Sequence, residues 1–162
     1  MPNLEDIVGQ RLSERGLTLA VAESCTGGLL GHRLTNVSGS SRYFLGGVVS
    51  YANPAKESLL SVPKETMVKH GAVSPETAVA MAAGVRRLLA ADLALSVTGI
   101  SGPTGGTPEK PVGLTYIALA TPEGARVERY LFAGDRLANK TLAAEAALRL
   151  LIEHLEAASQ KG

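Results

Sequence analysis

The stretch Ala22-Glu23-Ser24-Cys25-Thr26-Gly27-Gly28 sets three nucleophile-capable side chains, Ser24, Cys25 and Thr26, between an apolar run and a glycine pair that leads into helix-forming sequence. At a strand-to-helix junction such groups stand at the positive end of a helix, beside unpaired backbone N–H groups that stabilise an anion. That arrangement suits acyl transfer, with an oxygen or sulfur nucleophile and an oxyanion site built from main chain. Ser and Thr are also common helix caps and Gly a common turn residue, so the remaining residues must decide between chemistry and capping.

Tyr51 and Lys56 form a second constellation. A Tyr at a strand end and a Lys on the next helical turn can point into the crevice that holds Ser24. A lysine desolvated there has a lowered pKa and serves as a general base for a hydroxyl, whereas a surface lysine only snorkels. The pair does not fit a short-chain dehydrogenase: the Tyr51 to Lys56 interval is one residue too long, and no Gly-x-Gly-x-x-Gly turn is present. The segment Thr98 to Gly113 carries Gly99, Gly102, Gly105 and Gly106, and is either a mobile loop or a nest whose amides approach a phosphate. Arg136 adds a guanidinium fork suited to a phosphate or carboxylate, or else an ordinary surface charge. His32, His70 and His154 are scattered, so neither a metal site nor a Ser-His-Asp arrangement is expected.

The elements that must position these groups follow from apolar periodicity. Leu4, Ile7, Val8 and Leu12 predict an amphipathic helix ending near Gly16, followed by a buried strand over Leu17 to Ala22. A helix from Gly28 runs through Leu29, Leu30, Leu34 and Val37 and is closed by Gly39 and Ser40. A second strand covers Leu45 to Tyr51, and Asn53-Pro54 caps and opens a short helix carrying Lys56, Leu59 and Leu60. Ser74-Pro75 opens a long Ala-rich helix through Leu89, and Leu93 to Thr98 is a third strand. Leu114 to Thr121 and Val127 to Phe132 form an antiparallel hairpin around Pro122-Glu123-Gly124. A last helix from Asp135 aligns Leu137, Ala144, Leu148, Leu151, Ile152 and Leu155 on one face, and Ser159 to Gly162 are expected to fray. The expected architecture is a three-layer α/β/α single domain with a mixed sheet, its core spanning about residues 4–157.

With 162 residues, 45% of them apolar, the chain can bury a core without disulfides. A net charge of +1 argues against nucleic acid or an anionic membrane surface as partner, but not against a small anionic ligand held locally. Cys25 is the sole cysteine, which makes a reducing cytoplasm the expected location. Its N-terminal residues do not read as a signal peptide, and no apolar run reaches a membrane-spanning length.

Together, the Ser24 stretch, Tyr51 with Asn53 and Lys56, His70-Gly71-Ala72-Val73-Ser74, Thr98-Gly99-Ile100-Ser101-Gly102-Pro103, Lys110-Pro111-Val112-Gly113 and Gly134-Asp135-Arg136 resemble the CinA C-terminal domain family. The resemblance runs from about Leu12 to Leu155 and extends to stand-alone nicotinamide mononucleotide amidohydrolases, without the N-terminal domain that CinA proteins often carry. It implies deamidation of nicotinamide mononucleotide to nicotinic acid mononucleotide and ammonia, without metal or organic cofactor. Ser24 would then be the nucleophile, Lys56 its base and Tyr51 a hydrogen-bonding partner. Cys25, Thr26, Gly27, Asn53, Thr98, Gly102 and Arg136 would bind substrate. On chemistry alone Cys25 competes with Ser24, since a thiolate at a helix start is the better nucleophile. Where relatives commonly have an arginine one turn after Gly-Asp-Arg, this chain has Lys140, which keeps the charge but not the fork. The resemblance also implies a homodimer, and the small-residue helix face of Ala80 to Ala91 suits close packing either within the domain or across a dimer. The alternatives are a non-catalytic nucleotide-binding module of competence or DNA-damage machinery, and a hydrolase of another amide or nucleotide.

Overall fold

Three of the five strands alternate large and small side chains, and this alternation divides the molecule. In β1 (Leu19–Glu23), β3 (Leu93–Gly99) and β4 (Leu114–Thr121) the residues Leu19, Val21, Leu93, Leu95, Val97, Ile117 and Leu119 face one way. Ala20, Ala22, Ala94, Ala118 and Ala120 face the other, because successive strand side chains point to opposite faces. The computed structural model describes residues 1–160, and the sheet runs β2-β1-β3-β4-β5, with β2 at Phe44–Val49 and β5 at Gly124–Leu131. β1 pairs in parallel with β2 and β3, and β4 is antiparallel to both β3 and β5.

The large-residue face is covered by α1 (Leu4–Arg15), α2 (Leu29–Thr35) and α6 (Arg136–Gln160), which supply Val8, Leu12, Leu30, Leu34, Leu148 and Leu151 to its core. The alanine face is covered by α5 (Pro75–Leu89), flanked by α3 (Asn53–Leu60) and α4 (Lys64–His70). This is the expected three-layer α/β/α arrangement around a mixed sheet. α5 is small-sided too, through Ala78 and Ala82, so it lies close on the sheet, and Ser96 Oγ donates to the Ala78 carbonyl at 2.6 Å. Ser74 caps α5 through the Thr77 N–H at 3.1 Å, a bond type that stabilises a helix by about 1 kcal/mol.

Several boundaries differ from the sequence expectation for local reasons. Leu17 lies outside β1: its N–H closes the end of α1 on the Leu12 carbonyl at 3.0 Å, after Gly16 takes the left-handed conformation. α2 begins only at Leu29 and ends at Thr35, so Val37 is not helical. α3 is capped by Ala52, with no side-chain bond, and Asn53 lies inside the first turn rather than capping it. β2 stops at Val49, two residues before Tyr51, and the hairpin turn is shorter than expected because Thr121 pairs with Gly124. Asp135 precedes α6 and accepts the Ala138 N–H through Oδ1, and Leu137 is exposed rather than on the buried face. α6 continues through Ser159 and Gln160; the rest of the tail expected to fray lies outside the described residues.

β1 lies between β2 and β3, and the chain leaves it on one side of the sheet and returns on the other. Such a switch of direction opens a crevice beyond the carboxyl ends of parallel strands. Ser24, Ser50 and Gly99 all lie at those ends.

The close approach of α3 to α5 is tested at Gly84. A Cβ there would lie 1.9 Å from the Leu60 carbonyl oxygen, at the end of the helix that carries Lys56. Helix propensity favours Ala over Gly by about 1 kcal/mol, but overpacking against main chain costs about 1–3 kcal/mol or more. Gly84→Ala is therefore expected to lower the unfolding free energy by about 2 kcal/mol, read from urea denaturation; an unchanged or higher midpoint would show that α3 is free to shift.

Candidate active site

Ser24 directly follows β1 and is 8% exposed, with its N–H on the Val97 carbonyl at 3.0 Å. The chain then makes a turn over Ser24 to Gly28, closed by the Gly27 N–H on the Ser24 carbonyl at 3.1 Å. Gly27 (φ 60) and Gly28 (φ 106) occupy the left-handed region, which favours glycine and lets so tight a turn enter α2. Ser24 thus stands a full turn before the helix, not at its first residue. The positive end of α2 is occupied by Glu23, whose Oε1 accepts the Gly28 and Leu30 N–H groups and whose Oε2 accepts that of Gly31. The N–H groups of Cys25 and Thr26 donate to no other residue among those described.

Lys56 is the largest chemical surprise for its residue type, at 1% exposed. Its Nζ lies 2.9 Å from Ser24 Oγ, 2.7 Å from the Ser50 carbonyl and 3.2 Å from the Tyr51 carbonyl. No carboxylate forms an ion pair with it among the described residues. Burial therefore moves its pKa down from the usual lysine value, only partly offset by Cys25. The three neighbours suit both protonation states. As an ammonium it donates to all three; as an amine it donates to the two carbonyls and presents its lone pair to the Ser24 hydroxyl.

Ser24, Cys25, Tyr51, Asn53, Lys56, Thr98, Gly102 and Arg136 all line one cavity of about 260 Å³, together with Ala72, Val73 and residues of the glycine-rich loop. Tyr51 is largely exposed; its hydroxyl accepts from Arg136 Nη2 at 3.0 Å, while only its main-chain carbonyl meets Lys56. Arg136 Nη1 donates to the Gly102 carbonyl at 2.8 Å, so one guanidinium spans the mouth from α6 to both sides. Thr98 is buried and its hydroxyl donates to the Ala72 carbonyl at 2.8 Å, which fastens the end of β3 to the segment before α5. Thr26 and Gly27 do not line the cavity: Thr26 is 1% exposed, with Oγ1 unpartnered among the described residues, and Gly27 faces Lys140. Lys140 stands by the Ser24 turn, since a Cβ on Gly27 would lie 3.6 Å from its Nζ.

Sequence reasoning assigned no role to Glu23, Ser50 or Asn139. Asn139, 3% exposed, donates to the Ser101 carbonyl at 3.0 Å and accepts the Gly134 N–H at 2.9 Å, tying the glycine-rich loop to α6. A charged residue closing an apolar strand was the one available signal for Glu23. Cys25 shares the cavity, yet burial pushes its thiol up to about 11. Among the described residues no three His, Cys, Asp or Glu side chains gather as metal ligands, and no helix is long and apolar enough to cross a membrane.

A family model described as the CinA C-terminal domain matches residues 1–155. A putative competence-damage inducible protein of Halothermothrix orenii is 53% identical over 155 residues, covering 95% of this chain and 38% of that protein. A CinA-like protein of Desulfotalea psychrophila is 55% identical over 152 residues, covering 94% and 37%. The chain thus spans less than two-fifths of the length of these curated relatives. Among solved structures, the competence/damage inducible protein CihA of Agrobacterium tumefaciens superposes with a TM-score of 0.89 at 37% identity, covering 96% of this chain and 98% of that one. The competence damage-inducible protein A (ComA) of Klebsiella pneumoniae gives 0.91 at 34% identity, with the same coverage.

The raised Cys25 pKa has a direct readout. At pH 8 a thiol that titrates at about 11 holds roughly a hundredfold less thiolate than one at the ordinary value of 9.0, and burial slows access further. Alkylation by iodoacetamide, followed by mass spectrometry, should be at least that much slower in the folded chain than in urea, and should accelerate only as pH rises towards 11. Equal rates folded and unfolded would return Cys25 to the field as a nucleophile.

Proposed function

The chain belongs to the CinA C-terminal domain family, and we propose that it is a Ser–Lys amidohydrolase that deamidates nicotinamide mononucleotide. The carrying observation is the buried Lys56 Nζ at 2.9 Å from Ser24 Oγ, with its other two hydrogen-bonding directions taken by main-chain carbonyls. An unprotonated amine so held has its lone pair directed at the hydroxyl it must deprotonate.

In the proposed reaction Lys56 takes the Ser24 proton as Oγ attacks the carboxamide carbon. We assign the oxyanion formed to the main-chain N–H groups of Cys25 and Thr26, which donate to no other residue among those described. The ammonium of Lys56 returns the proton to the leaving nitrogen, and the C–N bond breaks to give ammonia and an ester on Ser24. Water, deprotonated by Lys56, cleaves the ester, releases nicotinic acid mononucleotide and restores Ser24. The choice of nucleotide comes from the family resemblance; its support in the cavity is Arg136, a guanidinium at the mouth bonded, among the described residues, only to neutral oxygens and suited to a phosphate. Asn53 at the rim and the Tyr51 hydroxyl are further groups for the nucleotide. A single domain working in the cytoplasm as a homodimer without cofactor belongs to the same proposal.

A second reading is a non-catalytic nucleotide-binding module associated with competence or DNA-damage responses; its support is that the relatives are named competence-damage inducible proteins. Ammonia release from nicotinamide mononucleotide separates the two. For the enzyme, Ser24→Ala and Lys56→Met should each reduce kcat by about 10³-fold or more. The wild-type rate should rise with pH through the Lys56 titration, because the ammonium has no lone pair, and that limb should lie below the ordinary lysine value of 10.5. Binding without release by the wild type would support the module instead.

A further inference from the structure

We propose that Glu23 is the positioning residue of the Ser24–Lys56 pair, holding the nucleophile's turn through its side chain and the lysine's carbonyl through its main chain. This rests on the amidohydrolase reading for its catalytic meaning, but its geometry is independent of the substrate.

Glu23 is 2% exposed and has no ion-pair partner among the described residues. A buried carboxyl group is costly unless its oxygens are satisfied, and here three main-chain N–H groups do so, at 3.2 Å from Gly28, 2.8 Å from Leu30 and 3.0 Å from Gly31. A residue at the N-cap itself would have capped α2 locally, yet Gly28 stands there with no side chain. Capping from the strand instead ties the end of β1 to the start of α2, and so fixes the shape of the Ser24–Gly28 turn between them.

The other half of the pair is fixed from the same residue. The Glu23 carbonyl accepts the Ser50 N–H at 2.8 Å and the Ser50 hydroxyl at 3.3 Å, and the Ser50 carbonyl accepts from Lys56 Nζ at 2.7 Å. The backbone entering Ser24 and the backbone that holds Lys56 are therefore registered against one residue. A shift of the Glu23 side chain moves Oγ relative to Nζ, and displacements of about 1 Å cost up to 10²-fold in rate.

Glu23→Gln leaves one accepting oxygen and turns an NH2 group towards an N–H donor; Glu23→Asp keeps the charge but loses reach. The full chain carrying each substitution is assayed for thermal unfolding, for kcat and KM on nicotinamide mononucleotide, and for Lys56 titration through its 13Cε resonance. Positioning predicts folded variants with kcat lowered about 10- to 100-fold, KM changed less than about threefold, and a displaced Lys56 titration. A lower unfolding temperature with wild-type kcat and wild-type Lys56 titration in either folded variant overturns it, since a merely structural residue moves stability alone. If the wild type releases no ammonia the amidohydrolase reading falls, and the Lys56 titration alone then decides the positioning: displaced in the variants supports it, unchanged refutes it.

Discussion

A lysine amine buried against two carbonyls and a serine hydroxyl, with no carboxylate paired to it among the described residues, is the constraint on which the rest of the structure depends. A solvated lysine needs only a flexible stem, but a buried one must have each of its hydrogen-bonding directions satisfied. Two of them come from Ser50 and Tyr51, the residues that connect β2 to α3, so the segment that presents Lys56 also holds it. The third comes from Ser24, across the parallel β1–β2 pair. The register of that pair and the placement of α3 are thus the same requirement met from two sides.

The alanine face of the sheet answers the placement of α3. Because Ala20, Ala22, Ala94, Ala118 and Ala120 present so little volume, α5 packs low, and Gly84 lets the Leu60 carbonyl of α3 rest against it. Larger side chains on that face would lift α5 and with it the helix carrying Lys56. The opposite face, built from Leu, Val and Ile, holds the bulk of the hydrophobic core with α1, α2 and α6. One face of the sheet supplies most of the buried volume; the other sets a short distance at the site.

The parts of this site legible in the sequence were those set by nearest neighbours. An apolar run stopping before Ser24 located the strand end, Ser74-Pro75 located the start of α5, and Tyr51 and Lys56 fell beside the crevice because a strand end and a following helical turn have few other options. The helix start at Gly28 and Leu29 is legible but its cap is not: cap signals describe the residue at the cap, whereas α2 is capped by Glu23 from the preceding strand. Asn53 was misread for the converse reason: a good capping residue lies one position inside the helix, behind Ala52. The Tyr51–Arg136 bond joins residues 85 apart in sequence, and the Asn139 tie to Ser101 joins residues 38 apart. Neither follows from local pattern, since each depends on how α6 lies across the ends of the strands.

The same burial bears on which of the two adjacent candidate nucleophiles the proposed reaction would use. In a poorly solvated cavity every charge is disfavoured, which moves Lys56 down and the Cys25 thiol up. A thiolate–ammonium pair, the form in which a cysteine is most reactive, would require both charges at once, and the directions of both shifts oppose it. A serine and a lysine need no charge in the resting state: the hydroxyl donates to the amine, and charge appears only as the proton moves. In the proposed reaction it is then shared between an ammonium already held by two carbonyls and an oxyanion assigned to the N–H groups of Cys25 and Thr26, which donate to no other residue among those described. Glu23 occupies the N–H groups at the start of α2, so the helix terminus is already satisfied and is not the donor set of the proposed oxyanion site. The burial that disfavours the neighbouring thiolate is thus the same burial that favours the neutral lysine the proposed reaction needs beside the Ser24 hydroxyl.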